Sequence, residues 1–213
     1  MRLRVLWVAV LIPAAAAAVG FYFNGGLAAY GDLEVRVEWG PLVITQHERL
    51  GNSYYVGGGV VVPVWRYGAT NVTPRLEATA DIGHSSKTKQ VEYEQAQDYE
   101  LAWTTIPIRG GLLFGVEAGP ARPYGGFGVG LAVVPWTVTH TPTGAEVDNQ
   151  TETQATFAIP FGCDFRLTPA VAVGFRAEYL IVTGEVSPEI EVENVGIAMP
   201  NPFLVTGTVR LDL

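Results

Sequence analysis

The stretch Gln154–Val182, QATFAIPFGCDFRLTPAVAVGFRAEYLIV, decides the fold. In its first half Ala155, Phe157, Ile159, Phe161, Cys163 and Phe165 alternate with Thr156, Ala158, Pro160, Gly162, Asp164 and Arg166. Past Thr168-Pro169, Val171, Val173, Phe175, Ala177, Tyr179 and Ile181 alternate with Ala172, Gly174, Arg176 and Glu178. Successive side chains of an extended strand point to opposite faces, so this period means one apolar and one polar face. Two such strands joined by a tight turn form a hairpin long enough to cross a membrane.

The same alternation recurs along the chain. It is clean in Arg75–Gly83, Ala102–Val116, Pro123–Val138 and Phe203–Leu213, and blurred by glycines in Val19–Tyr30 and Tyr54–Val64. That predicts eight strands. Connections near Arg66–Thr73, Glu117–Arg122 and Thr168-Pro169 are short, with Gly and Pro at the turns, whereas about Asp32–Asn52, His84–Asp98, Thr139–Thr153 and Gly184–Pro202 are long and polar. Short turns at one end and long loops at the other are the layout of an all-β, antiparallel up-and-down transmembrane barrel, with both termini on the short-turn, periplasmic side. Leu33–Trp39 also alternates, so an extra hairpin within residues 32–50 and a ten-stranded ring form the alternative.

A soluble barrel would turn its large apolar residues inward and leave Gly126, Gly128, Gly130 and Ala132 facing water. Between Leu101 and Val138 the only charged residues are Arg109, Glu117 and Arg122. A soluble surface is dense in Lys and Glu, so the membrane reading prevails.

The chain has 213 residues and a formal charge of −8, which argues against nucleic acid as a partner. Arg2 and Arg4, the apolar Val5–Ile12 and the small-residue tract Ala14–Ala18 read as a signal peptide over residues 1–18, followed by a barrel domain over 19–213. Cys163 is the sole cysteine, so no internal disulfide forms; its parity with Phe161 and Phe165 places it on the apolar face as a small hydrophobe.

Several runs bear a family resemblance. Ile106-Pro107 opening a strand, Arg122–Leu131 (RPYGGFGVGL), Leu167-Thr168-Pro169 followed by Phe175–Tyr179 (FRAEY), and Gly20-Phe21-Tyr22 together resemble the OmpA/OmpX-type outer-membrane β-barrel superfamily. The resemblance covers nearly everything after residue 18. It implies a small eight-stranded barrel in the bacterial outer membrane, in contact with membrane lipid and lipopolysaccharide and placed there by the outer-membrane insertion machinery. The last residue here is Leu213, where that family usually has an aromatic one.

An eight-stranded interior is just wide enough to be filled by side chains, so the expected lumen is a packed polar core. The inward set includes Glu77, Asp81, Arg109, Asp164, Arg166, Arg176 and Glu178. Buried charges must be paired, and the expected network joins Arg109 and Arg176 to Glu77 and Glu178. Inward glycines at 57, 59, 126, 128 and 130 leave room for Tyr22, Trp65 and Trp103, while Tyr54, Tyr99, Trp136 and Tyr179 are candidates for the interfacial girdles. His84 and Ser86 share a strand face, as a general base and a nucleophile require, and lipid A deacylase barrels carry a His-x-Ser pair of this kind. Here the pair lacks a fixed carboxylate, with Glu92, Glu94 and Glu100 merely nearby, and a solvated strand end accounts for it better. His47 beside Glu48 and lone His140 are weaker signals. The acidic runs at Glu185–Glu193 and Glu92–Glu100 are read as solvated loops rather than cation sites, and no zinc or tight calcium spacing is present. The expected protein is a monomeric, non-enzymatic barrel without cofactor or metal, serving envelope structure or surface contact. A small-solute pore and a lipid-modifying enzyme are the alternatives.

Overall fold

A computed structural model describes residues 19–213 apart from 40–41, 67–71, 94–96, 187–188, 191–192 and 199–200. The expected signal peptide lies outside the described residues. Seven strands come in order: β1 Gly20–Trp39, β2 Leu42–Arg66, β3 Val72–Tyr93, β4 Gln97–Ala118, β5 Ala121–His140, β6 Ala145–Arg166 and β7 Val171–Thr183. Three short pieces, β8 Glu185–Val186, β9 Glu189–Ile190 and β10 Glu193–Ala198, precede the last strand, β11 Phe203–Asp212.

Each strand pairs antiparallel with its sequence neighbour, β7 pairs with β11, and β11 closes on β1 from Gly20↔Asp212 to Ala29↔Phe203. The result is a ring of eight antiparallel strands, β1 to β7 with β11. Within residues 32–50 the described residues form no extra hairpin. Residues 32–39 continue β1 and pair with β2 in one unbroken register, from Tyr30↔Gly51 to Trp39↔Leu42. Likewise β3–β4 zips out to Tyr93↔Gln97 and β5–β6 to His140↔Ala145. Three of the stretches expected as long loops are therefore strand extensions. Pairing of backbone groups continues where the apolar outer face stops, and β-branched polar residues such as Thr137, Thr139, Thr151 and Thr153 suit that role. These strands run to 20–25 residues, whereas about 9–11 suffice to cross a bilayer.

The outward positions build an apolar belt that includes Phe23, Leu27, Ile108, Phe127, Leu131, Phe157, Phe161, Phe175 and Val205. Cys163 lies half-buried between two of these outward phenylalanines, Phe161 and Phe165. Two tryptophans differ from expectation. Trp65 is 52 % exposed on the outside, because the β2–β3 register shifts between Pro63 and Trp65 and the extra residue reverses the parity of the strand end beyond it. Trp136 is 1 % exposed and sits inside. It shares parity with the inward Ala132 and Val134, which overrides its aromatic character as a girdle signal. Tyr54, at 80 % exposure, and Tyr179 do face outward, while Tyr99 packs against the interior and its ring meets that of His140 at 5.5 Å.

Candidate functional site: a two-layer lumen

Inward side chains divide the lumen into two chemically different layers. Towards the long hairpins lies an apolar layer of Tyr30, Leu50, Tyr55, Leu101, Trp103, Val134, Trp136, Val138, Leu180, Val182 and Leu204. Tyr30 meets Trp103 edge-on at 6.2 Å, and its hydroxyl shares a hydrogen bond of 2.7 Å with Ser85. The Tyr55 ring lies over Gly83, where any Cβ would overlap it. The interior is thus not polar throughout, as the alternation had implied. Its signal is the loss of alternation: Leu101-Ala102-Trp103, Val133–Trp136 and Tyr179–Val182 are apolar on both faces. A strand buried against lipid on one side and core on the other reads as a continuous apolar run.

Towards the short turns the lumen is charged. Arg109 on β4 donates Nε to Asp81 Oδ1 at 2.8 Å and reaches across to Glu178 on β7. Arg176 donates Nε to Glu178 Oε2 at 2.9 Å and stands 3.7 Å from Asp81. Tyr22 on β1 donates its hydroxyl to Asp81 Oδ2 at 2.8 Å, under the Arg176 guanidinium, which is 5.7 Å from the ring centroid. Two arginines and two carboxylates thus form a charge-balanced square, which Tyr22 ties to β1. Unpaired, any of the four would cost several kcal/mol.

A second tier lies nearer the turns. Arg210 grips Glu77 with two bonds, 3.0 Å and 2.7 Å, and donates Nε to Asp212 at 2.6 Å. Arg75 adds a 3.3 Å bond to Glu77, and Thr208 donates to Asp164 at 3.2 Å. Arg122 bridges Asp212 at 2.8 Å and Glu117 at 3.2 Å, and Glu117 also receives Arg166 at 3.1 Å and Arg66.

Of the seven expected network residues, Asp81, Arg109, Arg176 and Glu178 meet directly. Glu77 does not join them; its partners are Arg210 and Arg75. Asp164 stands 4.0 Å from Arg210, and Arg166 closes the mouth with Glu117. Arg75, Arg122, Arg210, Glu117 and Asp212 were absent from the expected network. Arg210 and Asp212 carry the right parity in the last strand, but which carboxylates they meet depends on ring closure and is invisible locally.

His84 and Ser86 share the outward face, both exposed. Ser86 donates its hydroxyl to the Trp103 carbonyl at 3.4 Å and accepts from Thr104 at 3.3 Å. Glu100 lies four residues along β4 from Thr104, the residue opposite Ser86, about 13 Å on by strand rise. Glu92, Glu94, His47, Glu48 and the acidic run at 185–193 have side chains outside the described residues. His140 shares a 2.8 Å hydrogen bond with Thr143 in the β5–β6 turn. Among the described residues no group of His, Cys, Asp or Glu is placed to hold a metal ion.

A family model described as the outer membrane protein beta-barrel domain matches residues 5–198. The chain belongs to that family. It is a barrel of the bacterial outer membrane, in agreement with the apolar belt and the closed ring. Among curated proteins none matches the sequence. Among solved structures, the outer membrane protease OmpT from Escherichia coli aligns with a TM-score of 0.54 at 10 % identity, over 94 % of this chain and 98 % of that one. Outer membrane protein OprG from Pseudomonas aeruginosa gives 0.48 at 12 % identity, over 92 % and 97 %. Neisserial surface protein A gives 0.43 at 12 %, over 92 % and 98 %. At such identities the likeness to the protease is one of fold.

Proposed function

We propose that this barrel is a sealed, non-enzymatic, monomeric element of the outer membrane whose work is done by the long hairpins standing outside the bilayer. One observation carries the reading: the lumen is filled twice over, by an apolar layer and by a charge-balanced layer. A pore needs an inner face too sparse to fill the ring, whereas here Trp103, Trp136, Tyr22 and Tyr55 occupy it. The first six strands carry backbone pairing far beyond the belt, and so hold a stiff outer surface for contact with lipopolysaccharide or other surface partners. An enzyme built on His84 and Ser86 has less support, because the Ser86 hydroxyl is engaged by Trp103 and Thr104. Vesicles containing the refolded protein should swell in small sugars no faster than protein-free vesicles. Rapid, size-dependent swelling would overturn the proposal.

A further inference from the structure

Three buried arginines of the lumen use the whole guanidinium. Arg109, Arg176 and Arg210 each place Nε and both Nη atoms on oxygen partners. Arg75 does not. Its Nη1 makes the 3.3 Å bond to Glu77, while Nε and Nη2 are buried and meet no partner among the described residues. These two groups share one edge of the planar guanidinium, the fork that grips two oxygens of a single anion. Arg75 is only 6 % exposed, and a buried charged donor left without a partner is costly.

The surroundings of that edge are cationic. Arg122, also buried, donates Nη1 to Asp212, but its Nε stands 3.2 Å from Glu117 without the alignment of a hydrogen bond. The charges acting on Arg75 are those of Glu77, Arg210, Arg122 and Asp164. Both carboxylates are engaged elsewhere: Arg210 holds Glu77 by two bonds, and Asp164 accepts from Thr208 and lies 4.0 Å from Arg210. Opposite Arg75 on β4 is Gly115, where a Cβ would come within 3.2 Å of Arg75 Nε, so the glycine keeps side-chain atoms off the fork. Among its described side chains, this tier sets five arginines against four carboxylates, whereas the square above it is balanced.

We propose that the open edge of Arg75 binds the phosphate group of a small anion entering at the short-turn mouth, with Arg122 supplying the second positive charge. A carboxylate has two oxygens, both taken by the fork, whereas a phosphate keeps others for Arg122. The phosphate is that of a free anion, because Arg75 lies inside the mouth that Arg166 and Glu117 close. A lipid headgroup would have to draw its chains in after it. The site is a dead end below the Arg109–Glu178 square, so it neither requires nor opposes a sealed lumen.

The refolded protein, in alkyl maltoside micelles that contain no phosphate, is titrated calorimetrically with inorganic phosphate. One site per chain is expected, with a dissociation constant of about 1 mM or below. Arg75→Lys keeps the charge and loses the fork, and should weaken binding about tenfold or more, the effect of one charge-assisted hydrogen bond. Arg66→Met removes a charge from the exposed rim and should change binding about twofold or less. Both variants should keep the folded migration on unboiled gels, since Arg210 still holds Glu77. Saturation by a short-chain phosphatidylglycerol but not by inorganic phosphate, again weakened by Arg75→Lys, would keep the site and make a headgroup the source. Saturation by neither in the parent protein, up to about 10 mM, would overturn the proposal. So would phosphate binding that a folded Arg75→Lys leaves unchanged, which would place the anion elsewhere.

Discussion

Arg109 on β4 and Glu178 on β7 meet across the lumen, each side chain 2 % exposed, and join strands separated by β5 and β6. Asp81 holds the other side of Arg109, and Arg176 the other side of Glu178. The pair is thus the cross-brace of the charged layer. Arg109→Ala should lower stability by about 3–5 kcal/mol, because it leaves Asp81 and Glu178 with Arg176 as their one shared buried cation. Removing both ends in Arg109→Met with Glu178→Leu should cost less than Arg109→Ala alone. Urea unfolding in vesicles, run as a double-mutant cycle, measures both.

Tyr55 and Gly83 make a comparable test of the apolar layer. Gly83→Ala forces the Tyr55 ring off the β3 backbone and should destabilise by about 1–3 kcal/mol. Tyr55→Phe should not relieve the strain, since the ring remains. Tyr55→Leu should relieve it in part, read as the midpoint of thermal unfolding on unboiled gels.

Tryptophan fluorescence separates the two sides of the wall. A variant retaining only Trp65 should be quenched strongly by lipids brominated on their acyl chains. One retaining only Trp136 should be quenched weakly, because that ring is inside. Equal quenching would mean that the bulge at Pro63/Trp65 or the parity of β5 is wrong.

An epitope inserted between Thr141 and Gly144, in the β5–β6 turn, should be tolerated and stain on intact cells. The same epitope at Thr168-Pro169 should stain only after the outer membrane is permeabilised. The two turns lie at opposite ends of β6.

Much of this architecture is readable in the residues. The phenylalanines of Ala155–Leu167 and the glycines alternating with Phe127–Leu131 set which face meets lipid, and strand count comes from repeating that pattern. Parity errs only where the backbone breaks it, as at Trp65, or where residue character is allowed to outweigh it, as at Trp136. Hairpin length is less legible, because Thr151, Thr153 and their neighbours look like loop residues and form strand only through pairing with β5. Ion-pair partners are the least legible. Glu77 meets Arg210, 133 positions away in sequence, only because β11 closes on β1. The apolar layer had a signal in the two-faced runs at Leu101–Trp103 and Tyr179–Val182.

The central claim is that two independent layers close the lumen, and single-channel recording in planar bilayers tests it most directly. The parent protein, Arg109→Ala alone and Trp103→Ala with Trp136→Ala should each show no steady conductance, since one layer remains in place. Combining the three substitutions should open a small ohmic channel. Steady conductance in the parent would contradict the sealed lumen outright.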